Sequence, residues 1–168
     1  KSCESDQKTK LIQKLTTMKN PFYILVAFLF FLNANAQEAP KYNETLAKSL
    51  KADDYGMKKY VFCILKTGTN TTATKEENTK YFEGHMANIN KLANEGKLVM
   101  AGPFMKNDKN YRGVFIFNVE TIAEAQVLVN TDPAVQAKIL EAELTVWYGS
   151  AAIPELTKIH KTIEKIKI

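Results

Sequence analysis

His85, Asp132, Arg112 and the Gly102-Pro103 turn are the residues of this 168-residue chain whose types and spacing point to chemistry. An imidazole changes charge near neutral pH and is therefore the commonest side-chain proton carrier. His85 is one of only two histidines, and it sits part-way along a helical pattern, beside Met86 at the margin of an apolar stripe. The competing explanation is a packing or surface histidine. Asp132 precedes Pro133, the composition of a helix start, so capping alone accounts for it. It would also orient an imidazole if one oxygen capped the helix and the other reached the ring. Arg112, the sole arginine, offers an anion a planar fork, or is simply a solvated charge at a strand end. Gly102-Pro103 ends a strand with a sharp turn that brings backbone close to a neighbouring cleft. These three, Gly102, Pro103 and Arg112, are the candidate substrate-binding residues.

Other chemistries lack their residues. His85, His160 and Cys63 are scattered without the close spacing of a metal site. The sequence has no phosphate-cradling glycine loop, dinucleotide fingerprint or Gly-x-Ser-x-Gly elbow, so neither metal nor cofactor is expected. Cys63 lies inside an apolar strand pattern and reads as an inert buried thiol. The net charge of +5 comes from 23 basic and 18 acidic residues. Five of the basic and two of the acidic residues precede Gln37, which leaves only +2 for the rest. A nucleic-acid footprint is therefore not expected.

The uneven charge follows from the organisation of the chain. Residues 18–36 read as a secretory signal: Lys19, an apolar run from Phe22 to Leu32, and small residues at Ala34 and Ala36. The run is too short to span a bilayer, and no cysteine sits at the cut before Gln37 to carry a lipid. An exported protein, periplasmic or secreted and without a stable membrane anchor after cleavage, is expected. Residues 1–17 read as an upstream extension outside the native structure, 37–57 as a polar leader, 58–150 as the domain, and 151–168 as a helical tail.

Within the domain, Tyr60 to Leu65 is apolar at both alternate sets, which predicts a strand covered on both faces. Lys75 to Glu95 shows the three-and-four spacing of an amphipathic helix, stopped by Gly96. Lys97 to Ala101 and Tyr111 to Val119 predict a hairpin about the turn-forming Asn107-Asp108-Lys109-Asn110. Thr121 with Glu124 makes a capping box for a second helix, Asp132-Pro133 opens a short helical turn, and Leu140 to Tyr148 predicts a fourth strand. The order βαββαβ predicts an α+β, ferredoxin-like fold: a four-stranded antiparallel sheet with both helices on one face. The other face is then apolar and open, so a homodimer through that face is expected; the competing cover is the tail with Leu156, Ile159, Ile163 and Ile166, and the two are compatible if the tail wraps the partner subunit.

Three strings in this order, His85 to Leu92, Gly96 to Phe104 and Thr131 to Ala134, together with Val146-Trp147-Tyr148, resemble the YCII-related domain family over about Lys58 to Ser150. The resemblance implies a dimeric α/β-barrel type of ferredoxin-like fold akin to muconolactone isomerase. It also implies a His-Asp pair as the active site, which falls on His85 and Asp132. One branch of the family is similar to dehydrochlorinases acting on chlorinated hydroxyquinols. The signal and the tail set this chain apart from the smaller members. Two functions follow as expectations. One is a cofactor-free lyase- or isomerase-type enzyme acting on a small polar or aromatic molecule. The other is a non-catalytic dimeric ligand-binding or interaction module.

Overall fold

The computed structural model describes residues 40–166. The expected signal at 18–36 and the extension at 1–17 lie outside the described residues. The leader forms a short helix, α1 (Glu44–Leu50), capped by the Asn43 side chain and ended by Lys51 in the left-handed conformation. The domain runs β1 (Met57–Thr67), α2 (Lys75–Asn94), β2 (Leu98–Pro103), β3 (Tyr111–Phe117), α3 (Ile122–Val129), α4 (Pro133–Gln136), β4 (Leu140–Ser150) and α5 (Ile153–Ile163). The sheet order is β2-β3-β1-β4, and every neighbouring pair is antiparallel. This is the ferredoxin-like arrangement predicted from the element order.

Each element has a local cause. Thr74 and Glu77 form a capping box at the start of α2, and Thr121 and Glu124 form another at α3. Gly96, at φ +68°, ends the first of these helices, and Lys97 N–H returns to the Leu92 carbonyl. In the hairpin, Asn107 replaces backbone bonding: its Oδ1 accepts from Lys109 and Tyr111, and its Nδ2 donates to the Met105 and Tyr111 carbonyls. β2 runs past Ala101 to Pro103, two residues beyond the predicted end. An edge strand tolerates a residue without an N–H, so the proline does not break it.

The core lies between the sheet and the helices α2, α3 and α4. Val61, Cys63 and Leu65 of β1, with Phe115 and Phe117 of β3, pack against Leu92, Ala125, Val129 and Ala134. At the far end of β1 the backbones nearly touch, because a Cβ on Gly68 would meet the Lys138 carbonyl oxygen at 2.1 Å. Gly68 N–H donates to Ile139 O there at 2.8 Å, tying β1 to the start of β4.

The opposite face holds a smaller cluster of Tyr60, Val99, Ile116 and Ile153, with Phe62 against it. Helix α5 folds back on this side and contacts β2, so the tail covers part of the sheet face. Phe62 and Ile64 remain half-buried, and Met100 and Trp147 are exposed. Tyr60 donates its hydroxyl to Ser150 O at 2.9 Å, and Tyr148 donates to the Asp53 carboxylate, which clasps the leader to β4. That bond and two backbone N–H groups hold Asp53 below the ordinary carboxylate pKa. Among the described residues no helix is long and apolar enough to cross a membrane.

Burial pushes the Cys63 thiol from 9.0 to about 12, with the nearby Asp132 charge adding to the effect, and burial pushes Tyr60 from 10.0 to about 12. Both groups stay protonated when folded at pH values where the unfolded chain releases those protons. Stability is therefore full below about pH 9 and falls as pH rises from about 9 toward 12. Denaturation midpoints measured from pH 8 to 11 should decline along that course. Cys63→Ala should delay the onset by about one pH unit, to the range set by Tyr60. An unchanged profile in the variant would exclude the thiol as the cause.

Candidate functional site

The sequence Thr131-Asp132-Pro133, between α3 and α4, is met residue by residue from α2. Asp132 begins α4 as predicted, and its Oδ1 accepts Ala134 N–H at 2.9 Å. The other oxygen, Oδ2, lies 2.6 Å from His85 Nδ1. One carboxylate therefore caps a helix and holds an imidazole at the same time, the condition under which both roles are compatible. Asp132 is fully buried and His85 is 9% exposed. The Phe115 ring lies near-parallel to the imidazole at 5.8 Å between centroids, and Phe82 meets it edge-on at 5.9 Å. Two rings and one carboxylate thus fix the position, tilt and rotation of His85.

The tautomer follows from these contacts. A carboxylate oxygen accepts, so Nδ1 carries a proton toward Asp132, and the neutral ring presents Nε2 as an acceptor. Nε2 has no hydrogen-bond partner among the described residues. No buried side-chain nitrogen or oxygen among them lacks a partner, so Nε2 is reached by solvent. The arrangement is a base with an orienter behind it and an open nitrogen in front, able to take a proton from a bound molecule and return it.

Gly84 makes this approach possible. A Cβ at this position would lie 2.8 Å from Cγ of Pro133, so a side chain would push α2 away from the start of α4. One turn further on, Asn88 Oδ1 accepts from the Thr131 hydroxyl at 2.9 Å. Sequence reasoning missed Gly84, Asn88, Phe82 and Phe115 as parts of the site. The only signal for Gly84 was a glycine inside a strong helical pattern, which is unfavourable there without a packing reason.

The structure brings His85 and Asp132 together, and no hydrogen bond or ring contact joins the other candidates to them. Gly102 and Pro103 end β2 opposite Val114 and Gly113, and a Cβ on Gly102 would meet nothing within 4 Å. The close approach at Gly102 is that of β3, since a Cβ on Gly113 would lie 3.2 Å from the Gly102 carbonyl oxygen. Arg112 falls at a register shift where β1 pairs with Tyr111 and Gly113 and skips it, and its side chain is exposed. None of the three shares a hydrogen bond or ring contact with the pair. A shallow depression of about 690 Å³ runs along α2, lined by Lys75, Asn78, Thr79, Phe82, Glu83 and Met86. Of its lining residues, Phe82 meets the His85 ring edge-on. Among the described residues no group of three or more His, Cys, Asp or Glu side chains is placed to hold a metal.

Residues 60–147 match the YCII-related domain. The chain belongs to the YCII-related domain family. The match spans β1 to β4 and contains both members of the His85-Asp132 pair. No curated protein matches this family member. Among solved structures it is similar to 5-chloro-2-hydroxyhydroquinone dehydrochlorinase from Burkholderia phenoliruptrix AC1100, in complex with 2,5-dihydroxybenzoquinone. The identity is 22%, with 52% of this chain and 90% of that chain covered and a TM-score of 0.35.

Replacing Gly84 with alanine separates geometry from stability. A helix-interior alanine gains about 1 kcal/mol over glycine, while crowding Pro133 costs about 1–3 kcal/mol. The balance is a net loss of about 0–2 kcal/mol, so Gly84→Ala should stay folded with an unchanged or modestly lowered denaturation midpoint. The imidazole Nδ1 proton of the native protein should give a strongly deshielded NMR resonance, which should shift or broaden in the variant as the pair is pulled apart. An unmoved resonance would mean that α2 and α4 tolerate the extra methyl.

Proposed function

We propose that this YCII-domain protein is a cofactor-free enzyme of lyase or isomerase type that acts on a small polar or aromatic molecule through His85 and Asp132. The observation that carries the reading is the 2.6 Å contact between a nearly buried imidazole and a fully buried carboxylate, with the opposite ring nitrogen left open. His85 Nε2 removes a proton from the bound molecule and later delivers it to another atom of that molecule or to a departing group. Asp132 keeps the ring in the required tautomer and stabilises the charge that develops on it. Family membership supports the small-molecule reading. The leader sequence at 18–36 supports export, to the periplasm or beyond.

The test compares extracts incubated with the wild type, His85→Ala and Asp132→Asn by untargeted small-molecule profiling. Asp132→Asn can keep an oxygen on Ala134 N–H and so keep the cap, while the ring loses its carboxylate. A molecule consumed by the wild type should be left by His85→Ala and consumed about 10⁴-fold more slowly by Asp132→Asn, the scale seen when a triad carboxylate becomes an amide. A ligand bound but left unchanged by the wild type and His85→Ala alike would overturn catalysis in favour of a binding module.

The assembly in this proposal is a homodimer through the open sheet face. Phe62, Ile64, Met100 and Trp147 lie on or beside that face, and α5 adds the exposed Leu156, Ile159 and Ile163. An exposed apolar surface of this kind marks an interface more often than a solvated face. Light scattering should give a dimer for the wild type and a folded monomer for Trp147→Glu with Ile159→Lys. A wild-type monomer at high protein concentration would rule the dimer out.

A further inference from the structure

His85 and Asn88 stand one turn apart on the same face of α2, and each is more than nine-tenths buried. Each nevertheless has a polar atom without a partner among the described residues. For His85 that atom is Nε2. For Asn88 the Thr131 hydroxyl decides which atom it is. That hydroxyl donates toward both Asn88 Oδ1 at 2.9 Å and Leu128 O at 2.7 Å, and Leu128 O, with two lone pairs, also accepts Thr131 N–H at 3.1 Å. With Oδ1 on Thr131, the amide NH2 is turned away from it. Because no buried side-chain nitrogen or oxygen among the described residues lacks a partner, Asn88 Nδ2 is also reached by solvent. Helical side chains lean toward the N-terminus of their helix, so the Asn88 amide lies over the turn that carries His85. The small exposed part of two otherwise buried residues thus presents one proton acceptor and one neutral donor side by side.

We infer that Asn88 Nδ2 holds the oxygen of a carbonyl compound while His85 Nε2 removes a proton from the carbon next to that carbonyl. This rests on the proton-transfer reading of His85 and names the class of molecule. The C–H bond breaks, its proton goes to Nε2, and its electron pair forms a carbon–carbon double bond as the carbonyl oxygen becomes an enolate. Asn88 donates to that oxygen as its charge grows, and return of the proton gives back the carbonyl compound or an isomer. The step needs no oxidant, reductant or co-reactant. A base and a donor whose Cβ atoms are about 5–6 Å apart suit a C–H and a C=O on adjacent atoms. A neutral donor suits an uncharged oxygen that acquires charge only during the reaction.

The experiment follows deuterium uptake at the carbons next to the carbonyl of hydroxyacetone and cyclohexanone by proton NMR in deuterated buffer. It uses the wild type, His85→Ala, Asn88→Ala and Asn88→Asp. Asn88→Asp keeps an oxygen facing Thr131 and removes the outward donor but adds a charge, while Asn88→Ala removes the donor without one. The wild type should exchange these protons faster than buffer. His85→Ala should fall to the buffer rate, and both Asn88 variants should be slowed about 10²-fold, the scale of losing one oxyanion donor. The deshielded Nδ1 proton of His85 should persist in Asn88→Asp, which shows the His85-Asp132 pair intact. Wild-type exchange rates in the Asn88 variants would overturn the role of Asn88. Absence of exchange by the wild type would overturn the carbonyl class while leaving the profiling test of His85 to stand by itself. Equal rates in wild type and His85→Ala would overturn both.

Discussion

A carboxyl group fully withdrawn from water must find partners inside the protein, and the site is arranged around that requirement at Asp132. A buried polar group left without a hydrogen bond costs several times what a made bond contributes. One Asp132 oxygen takes the Ala134 N–H and the other takes the imidazole. Neither bond is dispensable: without the first, α4 loses its cap, and without the second, a buried oxygen is orphaned. The position of the His85 ring is therefore a condition of folding as well as a property of the site. The two aromatic rings and the bare Cα of Gly84 serve the same condition from the side of α2.

The two sides of the sheet have different characters. The helical side is closed, and its buried residues run continuously from β1 through α2, α3 and α4. It holds the pair, so the reactive nitrogen is backed by packed side chains that cannot easily yield. The other side is only partly closed by α5, which buries Ile153 while leaving Ile159 and Ile163 exposed. A ferredoxin-like sheet can thus keep a rigid site on one side and a replaceable covering on the other, because alternate residues of β1 serve different faces.

Most of the fold was legible because its signals are local. Alternation marked β1, three-and-four spacing marked α2, and Thr121 with Glu124 marked the start of α3. Element ends were less legible where they depend on neighbours: β2 continues to Pro103 only because it is an edge strand. Asp132 was readable as a cap from Asp-Pro alone. Its contact with His85, 47 residues away in the chain, is not contained in any local pattern, and the ordered strings shared with the family pointed to it. Gly84, Asn88 and the flanking rings were not legible because their significance lies in distances between elements. Arg112 drew notice as the sole arginine, a property of composition that carries no information about place.

The central position of β1 has a consequence for the order in which the protein forms. The first strand of the domain pairs with the third and the fourth and never with the second, so its backbone is satisfied only by chain that follows much later. The bond from Tyr60 to Ser150 spans 90 residues. An N-terminal fragment ending before β4 leaves an apolar strand with one unpaired edge. Contacts of such separation carry a large loop-closure entropy before any of them is rewarded, so folding is slow compared with a helical domain of equal size. A growing chain of this protein thus carries one open edge on its first strand until the last strand is made.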